Sequence, residues 1–552
     1  MLLAPGLSPE SVTEALVPFG FQDLKRADDN IQAMAGEPQS RERLAKILDQ
    51  LLAAVARSAD PDLALNYWER FLQAGVNRVQ LFDYLGQAPR VLDLLCTIFG
   101  NSPAMAQTLI RDPALVYWLA EEGAATRRQS RLDLERELRA VLANVMAVEL
   151  KLEALRRFRR RATLRLGVRD LLRLADVPET TAALSDLASV LLQSAYEIVN
   201  TELQRQYGTP MHRDRTGRLI ETGFAIVAMG KLGGGELNFS SDVDLIYVYA
   251  SDDGETRPAA RQSPMAIRSL SNEEYFELLA RDTTRALSDH TQEGYLFRVD
   301  LRLRAEGAVG LLARPLAGYE QYYQTRGQGW ERLALLKAWP VAGDRSVGRA
   351  FLRAVAPFVF GLSAGRSGSR AASDVIEQVK AMKEMIDDRM ASRGQERRNV
   401  KLGTGGIREI EFLVQAVQAL CGARLQGLRE RGTLAALAQF RRYGLVTARE
   451  AAGLTRAYLF LRDVEHKLQI VHDLQTHALP DSPDELTRCA IRLGYPSRDR
   501  GAAMKRLVAD YRRHTGLVHR MFRTFFYSPD RSPMLRAALK RMGETKKVVE
   551  TG

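Results

Sequence analysis

One stretch near the middle of the chain limits its fold more than any other. Phe224 to Met229, "FAIVAM", is an unbroken apolar run of strand length. It is followed by "GKLGGGELNFSSDVDLIYVY" (230–249), in which glycines give way to Asp242 and Asp244 and then to a second apolar run. Short apolar runs bounded by glycine read as buried strands, and glycine clusters read as turns. The order is therefore strand, tight turn, strand, with two carboxylates at the mouth of the second strand. Residues two apart on a strand share a face, so Asp242 and Asp244 project together while Val243 points the other way. Two like charges held so close repel unless a cation lies between them.

A hard divalent cation such as Mg2+ suits such a pair, because it takes oxygen ligands and is completed by substrate phosphates. Gly233, Gly234 and Gly235 let backbone approach a phosphate, and Ser240 and Ser241 offer donors. A third carboxylate, Asp300, lies in "GYLFRVDLRLR" (294–304), which alternates like a half-buried strand and places Arg298 and Arg302 on the same face. Three carboxylates with flanking arginines suit two metal ions and an in-line displacement at phosphorus. An Asp-x-Asp pair alone is more often a solvated turn. Here the order of the elements favours a metal-dependent phosphoryl or nucleotidyl site. It is no Walker loop, since Gly-Lys precedes the glycines and no Gly-Lys-Ser/Thr follows.

The remainder of the chain reads as helical. At 552 residues it exceeds one hydrophobic core. Residues 1–205 form an N-terminal helical domain, 206–345 a catalytic domain, 346–530 a C-terminal helical domain and 531–552 a polar tail. "QYGTPMHRDRTGR" (206–218) reads as a linker, and 272–289 as a helix with Asn272 as its cap. The arginine run in "LRRFRRRATLRLGVRDLL" (155–172) reads by default as a solvated face.

Lys and Arg outnumber Asp and Glu by 79 to 67, which suits an anionic partner without choosing one. The three cysteines, Cys96, Cys421 and Cys489, form no Cys-x-x-Cys, which argues against a structural zinc site and for a reducing compartment. His466 and His472 lie six apart and read as packing or surface residues. With no signal-like start and no long apolar run, a cytoplasmic location is expected and a membrane is not.

"GKLGGGELNFSSDVDLIYVY", "FRVDLRLR", "WERLALLKA" and "KLGTGGIREIEFLVQ" together resemble the glutamine synthetase adenylyltransferase/adenylyl-removing enzyme family. That family belongs to the superfamily of DNA polymerase β-like nucleotidyltransferases. The resemblance implies an α+β fold, mostly helical, with a small mixed sheet flanked by helical domains. Family members commonly carry two such catalytic units, and this chain shows one. Its wording, "LNFSSDVD" and "GGIREIEF", resembles the adenylyl-removing half.

That half implies phosphorolysis, in which inorganic phosphate attacks the AMP phosphorus on an adenylylated tyrosine of glutamine synthetase and ADP leaves. Asp242, Asp244 and Asp300 would be the catalytic and metal-holding residues, with Mg2+, as two ions, as cofactor. Gly230, Lys231, Gly233, Gly234, Ser240, Ser241, Arg298, Arg302, Arg304, Lys337, Lys401 and Arg408 would be the nucleotide- and phosphate-binding candidates. The helix in 399–420 reads as mainly structural, yet its glycine-flanked start with Lys401 and Arg408 also makes an anion pocket, and Glu409 and Glu411 either pair with those cations or approach the metals.

Implied partners are adenylylated glutamine synthetase, the PII signal protein, phosphate and ADP or ATP. Adenylyl transfer from ATP is the alternative reaction. A weakly catalytic docking protein is a further reading, and a nucleic-acid enzyme of the same superfamily a less favoured one. The chain departs from the family pattern at Ala305 and Leu311, where proline is usual, and at Trp339, where arginine is common.

Overall fold

In a computed structural model the described residues are 2–3, 8–121, 126–258, 268–361, 368–496 and 498–542. Most of them are helical, and two small sheets lie in the middle of the chain. The strands are β1 (Thr209–Arg213), β2 (Leu219–Glu221), β3 (Phe224–Ala228), β4 (Val243–Tyr249), β5 (Glu255–Arg257), β6 (Val299–Asp300), β7 (Ala313–Pro315) and β8 (Trp339–Gly343). The smaller sheet has the order β2-β1-β5. The larger runs β6-β4-β3-β8, with β7 also paired to β4. β3 is antiparallel to both β4 and β8, whereas β6 and β7 run parallel to β4, so the sheet is mixed.

The larger sheet is buried on both faces, and side-chain alternation divides it between two cores. Phe224, Ile226, Ala228, Val243, Leu245 and Tyr247 pack into the core shared with the N-terminal helices. Ala225, Val227, Ile246 and Val248 face the core built by the C-terminal helices. Asp242 and Asp244 share the parity of Ile246 and Val248. They are therefore directed toward the C-terminal helices, while Val243 is fully buried on the other side.

Several expectations are corrected. The segment 206–218 is no linker, because Met211, His212 and Arg213 pair with β2. The strand expected across 294–304 shrinks to Val299–Asp300: the Arg302 backbone N–H donates to Asp300 Oδ1 at 2.9 Å, and the chain turns away. The cap of the helix Asn272–Ser288 is Ser271, in a capping box with Glu274. Asn272 is fully buried, and its amide donates to the carbonyls of Met211, Ser251 and Asp253.

The arginine run is not a solvated face. Arg156, Arg165 and Arg169 are buried, and their guanidinium groups donate to the backbone carbonyls of Ala286, Arg127 and Thr126. Nor does a polar tail begin at 531. The helix Pro533–Arg541 buries Met534, Leu535 and Ala538, apolar at helical spacing behind a Ser532 cap. Residues 543–552 lie outside the described residues. Cys96, Cys421 and Cys489 are free and buried. No helix among the described residues is long and apolar enough to cross a membrane.

Candidate active site

The glycine loop is shaped by what lies under it. The Met229 N–H donates to the Asp244 carbonyl at 2.8 Å, which ties the end of β3 to the start of β4. Gly230 then takes φ +55°, and a Cβ there would lie 2.3 Å from Asp244 Oδ2, so only glycine fits both the backbone and the space. At Gly233 a Cβ would meet the Lys337 carbonyl at 2.0 Å. Gly234 packs beneath the backbone of Arg431.

The carboxylates come from adjacent strands. Asp244 and Asp300 are register partners in the parallel pairing of β4 with β6, which puts them side by side on one face. Asp242 stands just before β4, with Oδ1 accepting from Arg298 Nε at 2.6 Å and Oδ2 from Gln475 Nε2 at 3.2 Å. Asp300 is gripped by the exposed Arg302, whose Nε lies 3.0 Å from both carboxylate oxygens; that grip holds the Asp300 carboxyl below its ordinary value. Asp244 differs. No hydrogen bond or ion pair from the described residues reaches its carboxylate, and burial, with Asp300 and Asp242 adding to it, pushes its pKa up to about 6.

The basic candidates divide into those at this site and those elsewhere. Arg298 bridges Asp242, the Ser240 carbonyl and the Tyr295 hydroxyl, the last at 2.9 Å. Lys401, from the loop before the helix Ile407–Cys421, lies near Asp244. Burial, then the neighbouring Arg408, lowers its pKa, and no described residue takes its ammonium in a hydrogen bond. Arg408 stands near Asp244 too, tethered to Glu411 at 3.3 Å.

Lys231 turns inward to Glu465 at 2.8 Å. Lys337 is buried between Glu236 and Glu411, 3.0 Å from each. Arg304 is buried, and all its donors go to the carbonyls of Leu301, Ala308, Gly310 and Leu311, so it shapes the loop after Asp300 and is not brought to the carboxylates. Ser240 Oγ donates to Asp473 at 2.7 Å, and Ser241 Oγ accepts the Asn238 N–H at 3.3 Å, so both brace the loop. Glu409 points the opposite way from Glu411, to Lys383 at 3.0 Å and His519 at 3.3 Å.

Several residues of the site gave no signal in the sequence. Glu465 is fully buried and accepts from Lys231 and from Asn238 Nδ2 at 2.6 Å, and His477 Nδ1 lies 2.9 Å from its carboxylate. Burial alone would raise its carboxyl, but Lys231, His477 and Arg462 hold it well below the usual range. Gln475, Asp473 and His477 all come from one stretch, "VHDLQTH" (471–477), that wraps the carboxylate end of the sheet. His466 is buried against Asn238, its Nε2 2.8 Å from the amide oxygen, in a packing role.

Among the described residues no three Asp, Glu, His or Cys side chains are already gathered around an ion position. The cause is local: Asp242 and Asp300 are turned to Arg298 and Arg302, which supply the positive charge. The donor set nonetheless fits a divalent cation. It is all oxygen, one member is unpaired, and the burial and carboxylate repulsion that together raise Asp244 are what a cation relieves.

A family model described as glutamate-ammonia ligase adenylyltransferase matches residues 92–354. A second, described as GlnD PII-uridylyltransferase, matches residues 380–526. Three curated relatives, each called a bifunctional glutamine synthetase adenylyltransferase/adenylyl-removing enzyme, align over most of the chain. The one from Hahella chejuensis is 35% identical over 78% of this chain and 42% of its own length. That from Nitrosococcus oceani is 37% identical over 80% and 43%, and that from Thioalkalivibrio sulfidiphilus 34% identical over 89% and 45%.

The fold, mostly helical around a small mixed sheet, and these matches define the class as a nucleotidyltransferase family. The chain belongs to the glutamine synthetase adenylyltransferase/adenylyl-removing enzyme family. It spans less than half the length of the curated relatives it matches.

Proposed function

We propose that this chain removes AMP from adenylylated glutamine synthetase by phosphorolysis in the cytoplasm, as part of the control of nitrogen assimilation. The observation that carries this reading is the pair of cations beside Asp244. Lys401, which no described residue takes in a hydrogen bond although Glu465 and Glu411 offset its charge, and Arg408 would form an anion position next to the carboxylates, where the attacking inorganic phosphate would sit. One phosphate oxygen attacks the AMP phosphorus, the P–O bond to tyrosine breaks, and the products are ADP and free tyrosine. Phosphate is itself the nucleophile, so no side chain needs to form a covalent bond.

Asp242, Asp244 and Asp300 would hold Mg2+, which when bound would neutralise charge on the phosphates. Arg298 and Arg302, already beside the carboxylates, would be released toward the phosphates. Ser240 and the glycine loop would position the α-phosphate. Glu465 orients Lys231 and Asn238 beneath the loop. A link to the PII signal protein belongs to the same proposal, supported by the uridylyltransferase model that matches the C-terminal helices.

Product identity tests the reading. Purified chain, adenylylated glutamine synthetase, Mg2+ and phosphate are expected to yield ADP, with release dependent on phosphate. Pyrophosphate formed from ATP and unmodified glutamine synthetase, with no ADP in the first mixture, would overturn it in favour of adenylyl transfer.

A further inference from the structure

A second concave site lies at the opposite edge of the sheet from the carboxylates. β8 is the outermost strand there, and a cleft of about 680 Å3 opens beside it. That volume lies within the range of small-molecule sites, about 300–1,000 Å3. Two helices line the cleft with arginine at four- or eight-residue spacing, which keeps each set on one helical face. Arg131 and Arg139 come from the helix Arg131–Leu142, and Arg345 and Arg349 from the helix Arg345–Phe360.

The only carboxylates in the lining are Glu135 and Glu197, which leaves a positive excess. Glu135 is taken by Arg131 at 2.9 Å. Arg139, Arg345 and Arg349 are exposed and form no hydrogen bond or ion pair with any described residue. Arginines on separate helices that converge on one hollow, where Glu135 is held by Arg131 and Glu197 accepts from Gln193 at 2.7 Å, are more than a solvated face. Their fork geometry matches phosphate and carboxylate groups.

Trp339 adds a reporter and a route to the catalytic loop. The residue is 43% exposed at the cleft wall, and Arg431 lies over its ring at 4.4 Å from the centroid. The same Arg431 donates to the Gly233 carbonyl at 3.0 Å. One guanidinium therefore spans the cleft wall and the glycine loop.

We propose that this cleft binds a small polyanion, a molecule carrying two or more negative charges, at a site separate from the carboxylates. The proposal does not depend on which reaction the carboxylates perform.

The test is a titration of the full chain, at fixed ionic strength in EDTA, with tripolyphosphate, citrate and ADP in parallel while tryptophan fluorescence is followed. At least one probe is expected to give a saturable signal that is lost in Trp339→Phe. Its affinity is expected to fall at least tenfold in an Arg345→Ser/Arg349→Ser double variant and to persist in Asp244→Asn. The double variant should keep the wild-type unfolding midpoint and basal ADP release, because both arginines are exposed and remote from the carboxylates. Preference for tripolyphosphate, ADP or citrate would assign an oligophosphate, a nucleotide or a polycarboxylate, and each supports the site. No saturable response to any probe would overturn the proposal, as would equal affinity in the double variant or loss of binding in Asp244→Asn.

Discussion

Asp244 occupies an electrostatically unfavourable position, which the proposed chemistry would explain. Its carboxylate is buried beside two others with no partner, which destabilises the metal-free fold. Asp244→Asn is therefore expected to raise the unfolding midpoint in EDTA, by roughly 1–2 kcal/mol of stability, while abolishing ADP release. Calorimetry beside a turnover assay checks both, and a lowered midpoint would contradict the electrostatic account. Gly230 sets the loop against that same carboxylate, at a positive φ with no room for a methyl. Gly230→Ala should cost about 1–3 kcal/mol and lower turnover at least a hundredfold, because the loop must move off Asp244.

The two arginines after Asp300 separate a proposed role in the site from a structural one within a single short loop. Arg302 is exposed and grips Asp300, whereas Arg304 is buried and holds four backbone carbonyls. Arg304→Ala is expected to cost about 2–3 kcal/mol and to speed hydrogen exchange across 301–312. Arg302→Ala should leave stability within about 0.5 kcal/mol, so that any fall in turnover reflects the site itself.

This loop also shows what the sequence conveys. Strand periodicity made the β3–glycine–β4 order and the shared face of Asp242 and Asp244 legible, because a period of two is a local property. The fate of Arg304, Lys337 and the 155–172 arginines was not legible, since a guanidinium or ammonium that ends on distant carbonyls or carboxylates has the same composition as a solvated one. Glu465 and Gln475 were missed for a related reason. They reach Lys231 and Asp242 from more than two hundred residues away, and no spacing rule covers that distance.

At the scale of the molecule, the sheet is held between two cores, and buried charge pins one side to the other. Asp170, from the N-terminal helices, pairs with Lys467 of the helix Ala448–Gln469, and both are buried. Burial would raise the Asp170 carboxyl, but Lys467 and His466 outweigh it and bring it down to about 2. The folded value is below the unfolded one of about 3.9, so the stabilisation is complete above roughly pH 4 and is lost as pH falls toward 2. Asp170→Asn should cost about 3–5 kcal/mol at pH 7, with the deficit shrinking below pH 4, as acid-unfolding curves of the two proteins would reveal.

In the proposed reaction, carboxylates from two neighbouring strands, clamped between helical bodies, act on one phosphorus. Single-turnover AMP removal from adenylylated glutamine synthetase by Asp300→Asn is the decisive measurement, since of the three carboxylates Asp300 alone comes from β6. A fall of roughly a thousandfold or more with the fold intact is expected. Turnover within a few-fold of wild type would contradict it.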